Sequence, residues 1–100
     1  MKLLTKEIER TLPALRSYES FPAYEVPIAV KFFAPFGSYT WYVIEGEKQG
    51  DDYLFFGLVD GHEKELGYFT LSQLEEIEGP LGLKIERDLH YSDHKLSEVM

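Results

Sequence analysis

The chain has no cysteine, which excludes disulfides and thiolate metal sites and favours a reducing, intracellular compartment. No apolar run approaches the roughly 20 residues that a membrane span requires. Met1-Lys2-Leu3-Leu4-Thr5-Lys6-Glu7 also meets charge too early for the apolar core of a signal peptide. A cytoplasmic protein with no membrane partner is therefore expected. None of Ser38, Ser72, Ser92 and Ser97 lies in a Gly-x-Ser-x-Gly frame, so a hydrolase elbow is absent. Gly79-Pro80-Leu81-Gly82-Leu83 lacks the Gly-Lys-Ser/Thr that cradles a phosphate and reads as a helix stop. No cofactor is expected.

Basic residues are scarce as well, at 10 against 18 acids, and their placement matters more than the net charge of −8. Residues 1–44 carry four acids and five bases, whereas residues 45–100 carry fourteen acids and five bases, so the second half alone holds −9. Such a field repels phosphate backbones and makes nucleic acid an improbable partner. A protein with a basic surface suits it better, although an acidic surface also simply maintains solubility.

What the chain does have is aromatic side chains, 15% of its residues, arranged in glycine-punctuated β-rich runs. One hundred residues suffice for a single domain over 1–100, and rings of this abundance supply enough burial energy to order it. Thr5 is placed to cap a first helix carrying Ile8, Leu12 and Leu15, which Pro13 and the Ser17-to-Pro22 segment interrupt. Ile28–Phe33, Tyr39–Glu45, Tyr53–Asp60 and Glu65–Phe69 read as strands, and Gly46–Asp52 and Asp60–Lys64 read as polar turns. Thr70 and Gln73 fit a capping box, and Phe69 with Leu74 fits a hydrophobic staple, which predicts a second helix over 70–79 ended by Gly79-Pro80. Leu83–Arg87 alternates like a half-buried edge strand, and the signal then fades, with Leu96–Val99 expected to dock only loosely. The fold class is α+β: a mostly antiparallel four- to five-stranded meander packed with two short helices. Two such helices are too few to roof both faces of an apolar sheet, which leaves aromatic surface for a partner.

Tyr39-Thr40-Trp41-Tyr42-Val43, Phe55-Phe56-Gly57-Leu58-Val59, Glu65-Leu66-Gly67-Tyr68-Phe69 and Gly79-Pro80-Leu81-Gly82-Leu83-Lys84-Ile85-Glu86-Arg87-Asp88 resemble the successive motifs of the bacterial domain-of-unknown-function family 2958. The likeness runs from Met1 nearly to Val99. It implies a small intracellular protein, often carried by plasmids, phages and other mobile elements, with no agreed activity and no catalytic residues to carry over.

Candidate residues follow from the acidic half and the rings. Trp41, Tyr42, Glu45, Asp51, Asp52, Asp60, Glu63 and Glu65 form the expected binding set of a non-enzymatic protein-interaction module. One form of it has Glu45, Glu47, Asp51, Asp52, Asp60, Glu63, Glu65, Glu75, Glu76 and Glu78 standing in for the phosphates of DNA. A second reading stacks single-stranded bases on Trp41, Tyr39, Tyr42, Tyr53 and Phe55. A third is a small hydrolase or metal enzyme, using His62 with Asp60, Glu63 and Glu65 for proton transfer, or His90 and His94 with Asp88 and Asp93 as ligands.

Overall fold

The computed structural model describes residues 1–100. Five strands form one antiparallel sheet: β1 (Val30–Phe33), β2 (Thr40–Gln49), β3 (Asp52–Asp60), β4 (Lys64–Thr70) and β5 (Glu86–Arg87), in the order β4-β3-β2-β1-β5. Helix α1 (Lys6–Thr11) precedes the sheet, α2 (Leu71–Glu76) follows β4 directly, and single 3₁₀ turns occupy Ala23–Glu25, Pro80–Gly82 and Leu96–Glu98. The α+β meander expected from the sequence is the fold.

Local chemistry sets the helix boundaries. The Thr5 hydroxyl accepts the Ile8 amide at the start of α1, and the helix stops one residue before Leu12, next to Pro13. At α2 the full capping box forms: the Thr70 hydroxyl accepts the Gln73 amide, and the Gln73 side chain accepts the Thr70 amide. Phe69 and Leu74, the two halves of the staple, are both buried in the main core. Helix α2 ends at Glu76, earlier than the Gly79-Pro80 stop. Gly79 is extended rather than left-handed, and its lack of a side chain serves the Phe36 ring, which a Cβ would approach to 2.3 Å.

The sheet also departs from the sequence reading at the β2–β3 turn. Gly46–Asp52 is not a long turn. Strand β2 continues to Gln49, pairs Gln49 with Asp52, and leaves only Gly50 and Asp51 as the connection. Gly50 sits at φ 60°, the first position of a two-residue hairpin loop, where glycine is favoured. A β-bulge interrupts the register between Val43 and Glu45. It turns Ile44 and Glu45 toward the same side of the sheet and so shifts the alternation of everything after it.

The two faces are roofed differently. Val30, Phe32, Trp41, Val43, Tyr53, Phe55 and Phe69 form the floor of the main core, over which Leu3, Leu4, Leu12, Leu74 and Ile85 close with Ile8, Leu71 and Ile77. Both helices therefore serve one face. The opposite face carries a smaller cluster of Val26, Ile44, Leu58 and Leu96, covered by the segment around Tyr18 and Ala23 and by the C-terminal residues. That tail does not dock loosely: the Leu96 amide donates to Val26 O (2.8 Å), the Ile28 amide donates to His94 O (2.9 Å), and Leu96 is buried.

Gly57 and Gly67 are cross-strand partners with different surroundings. A Cβ at Gly57 would lie 1.9 Å from the Tyr42 carbonyl oxygen, whereas one at Gly67 meets nothing within 4 Å. Gly57→Ala is expected to cost about 2–3 kcal/mol or more, and Gly67→Ala to change stability by less than about 0.5 kcal/mol, read as the shift in urea midpoint.

Candidate functional site

The helix-free face is not closed over its whole width. Between the Arg16–Ala23 segment, the C-terminal residues and strands β3 and β4 lies an apolar recess of about 410 Å³. Its walls include Tyr18, Phe21, Phe56, Leu66 and Tyr68, with Glu45 among the residues beneath them. Phe56 and Tyr68 are direct cross-strand partners on β3 and β4, with ring centroids 4.9 Å apart. Tyr18 and Phe21 meet edge to face at 5.1 Å. Two aromatic pairs thus line one cavity. Leu66 and Tyr68 are 45% and 58% exposed, which is unusual for adjacent same-face residues of a strand and marks this edge as the sheet's uncovered apolar surface.

Glu45 holds this wall in place. The bulge directs its side chain to the helix-free face, where Oε1 accepts the Arg16 amide (2.9 Å) and Oε2 accepts the Tyr18 amide (2.8 Å). The Gly46 amide donates to Pro13 O at 3.0 Å, so two successive β2 residues grip the loop. Arg16 adopts φ 72°, a left-handed conformation that its side chain disfavours, and the bond to Glu45 fixes it there. Glu45 is 4% exposed, and none of the molecule's three ion pairs includes it.

The residues expected to bind a partner do not come together. Trp41 is buried in the main core against Tyr39, so it offers no exposed ring. Glu45 is an internal anchor and no surface charge. Tyr53 and Phe55 are core residues too, which removes the base-stacking platform. Tyr42 lies on the helix-free face near Tyr91, with ring centroids 5.9 Å apart. Burial, and then the neighbouring Asp60 carboxylate, push its hydroxyl pKa up.

Asp51 stands exposed in the β2–β3 connection. Asp52 beside it caps α2: the Ser72 hydroxyl donates to Oδ2 (2.6 Å), and the Ser72 and Tyr53 amides donate to Oδ1 (3.1 and 2.8 Å). The Ser72 hydroxyl bond first, and these amides after it, hold the Asp52 pKa below the ordinary carboxylate value. Asp60 and Glu63 lie at the other end of β3, about 26 Å away at the rise of an extended strand. Glu65 pairs opposite Val59 and therefore faces the helix side, away from Asp60. The carboxylates are thus divided between two ends and two faces, which is not the single charged track of a DNA duplex.

The histidines are likewise dispersed. His62 packs edge-on against Tyr39 (5.9 Å) and forms no pair with Asp60, Glu63 or Glu65. His90 and His94 lie in irregular chain and not on a helix, and no three His, Asp or Glu side chains converge as a metal site. His94 instead stacks on Tyr91 (4.3 Å), and its Nδ1 lies 2.9 Å from Glu98 Oε1. Lys31 lies 3.6 Å from the Asp88 carboxylate and 5.2 Å from the centroid of the Tyr91 ring. This ladder fastens the tail across the helix-free face, and burial pushes the Tyr91 hydroxyl pKa up to about 12.

Sequence reasoning missed Tyr18, Phe21, Leu66 and Tyr68. The alternation in Glu65-Leu66-Gly67-Tyr68-Phe69 carried the signal, because it places two apolar side chains on the face of an edge strand that the helices do not reach.

A small α+β fold with an apolar recess on its helix-free face, no cluster of three His, Asp or Glu side chains able to hold a metal ion and no helix long and apolar enough to cross a membrane is the class that the fold and site define. The chain belongs to the family of proteins of unknown function DUF2958, whose profile matches residues 3–100. No curated protein and no solved structure matches it.

Because the Asp52 pKa is depressed in the folded state, its contribution to stability is present above the unfolded carboxylate value, about 4, and is lost as pH falls through the folded value. Asp52→Asn is expected to lower Tm at pH 7, and the deficit is expected to shrink progressively as pH falls below about 4, as thermal melts across a pH series will read. Glu45→Ala leaves the Arg16 and Tyr18 amides without their acceptor and is expected to cost about 2–4 kcal/mol in urea unfolding.

Proposed function

We propose that this protein is a non-enzymatic interaction module that binds another protein through the recess and the adjoining face of β4. The supporting observation is the open apolar wall itself: Phe21, Leu66 and Tyr68 remain exposed around a cavity that the fold leaves unfilled. Monomeric proteins seldom leave such contiguous apolar surface without a binding role. Strand β4 adds a second element of recognition. Its outer edge pairs with no other strand, it contains no proline, and its register with β3 runs without a bulge, so its backbone can accept an added strand.

This reading moves the binding surface away from Trp41 and the dispersed carboxylates. The acidic half keeps a part in it, because a net charge of −8 favours approach by a basic protein. A bacterial host or its mobile elements, the setting implied by the family resemblance, belongs to the same proposal.

The test is affinity capture from the native host with the wild-type chain and with the double variant Leu66→Ser/Tyr68→Ser, both checked by circular dichroism. A specific partner retained by the wild type is expected to be lost from the folded variant. A partner retained equally by both would place the interaction elsewhere.

A further inference from the structure

The Glu45 carboxylate makes the recess more than an apolar groove. A carboxylate offers about four acceptor sites and buried charges are ordinarily matched by a cation. Glu45 is buried, uses one acceptor site on each oxygen for the Arg16 and Tyr18 amides, and has no cationic partner within ion-pair distance. The rings of Tyr18, Phe21, Phe56 and Tyr68 line the same cavity. Ring faces attract cations and most strongly where water is excluded, and a carboxylate among several rings is the chemistry that selects an organic cation over a neutral group. Within the protein that position is unused. The molecule's cation–π contacts belong to Lys31, over Tyr42 and Tyr91, and Arg16 is exposed at the recess without an ion pair or a ring contact.

We infer that the recess receives the side chain of a lysine or arginine presented by the protein partner, with the charged head directed to Glu45 and the aliphatic stem against Phe56, Leu66 and Tyr68. This rests on the interaction-module reading and names the chemistry of the partner. The occupant is argued from charge complementarity: the cavity contains a buried anion without a counter-ion, on a chain whose net charge of −8 already draws basic partners. The open edge of β4 beside the cavity fits an extended segment, which would present alternate side chains to this face.

The test is an amide-resolved NMR titration of the full chain with n-butylammonium, with neutral n-butanol, and with an acetylated and amidated Gly-Ser-Lys-Ser-Gly peptide beside its norleucine counterpart. The Arg16 and Tyr18 amides, which bond to Glu45, are the reporters. Both cationic probes are expected to shift them saturably, each binding at least about tenfold more tightly than its neutral counterpart, with the lysine peptide at least as tight as n-butylammonium. Glu45→Gln is expected to remove that preference. Should this variant not fold, Tyr68→Ala, an exposed position, is expected to weaken the lysine peptide about fivefold or more and leave the circular dichroism spectrum unchanged. Equal binding of charged and neutral probes, or shifts confined to amides outside the recess, would overturn the cation assignment without touching the Leu66 and Tyr68 surface. Binding of n-butylammonium with none of the lysine peptide would overturn the protein source.

Discussion

The Arg16–Tyr18 wall on the helix-free side of this molecule depends on a single carboxylate. Helices α1 and α2 both pack on the other face, so loop segments carrying only single 3₁₀ turns cover Ile44, Phe56 and Leu58, and the Arg16–Tyr18 stretch has no strand partner to hold it. Glu45 supplies the missing order by accepting two amides from a loop twenty-seven and twenty-nine residues away in sequence. A buried charge normally opposes folding, and here hydrogen bonds from both donors offset part of that cost. The Val43–Glu45 bulge makes the arrangement possible, because strict alternation from Trp41 would have turned Glu45 toward the helices.

Asp52 performs the corresponding task at the β2–β3 turn. By accepting the Ser72 hydroxyl and amide it ties the β2–β3 hairpin to the first turn of α2. Two acids that read as surface charge are therefore structural ligands for backbone, and Asp60 and Glu65 stand on opposite faces of the sheet. A charge sum along a sequence reports the field far from the molecule. It does not report which carboxylates the backbone has already claimed.

The fold was legible where chemistry is local. Thr70, Gln73, Phe69 and Leu74 announce the start of α2 within six residues, and hairpin order follows from short polar connections between aromatic runs. Two features escaped because their causes are not local. Glu47, Lys48 and Gln49 read as turn since the far end of a hairpin is wetted and loses its apolar alternation, and Gly46 lies in strand because Tyr53 and Phe55 press on it from across the sheet. The recess escaped because it lies between segments distant in sequence, with Phe21, Phe56 and Tyr68 meeting only after the sheet and loop are assembled. Trp41, the most conspicuous ring in the sequence, is held in the core by the same pleat that leaves Tyr68 outside.

The manner in which the tail is fastened has a dynamic consequence. The His94 and Leu96 segment joins the Val26 and Ile28 segment through two backbone hydrogen bonds and one buried side chain, and no part of the helix-covered core rests on it. Opening this seam exposes less apolar surface than global unfolding, so it costs less free energy than opening the helix-covered core. Amide hydrogens at Ile28 and Leu96 should then exchange with solvent through fluctuations that leave those of β2 and β3 protected. On that footing the opening of the helix-free face and the melting of the protein are separate events.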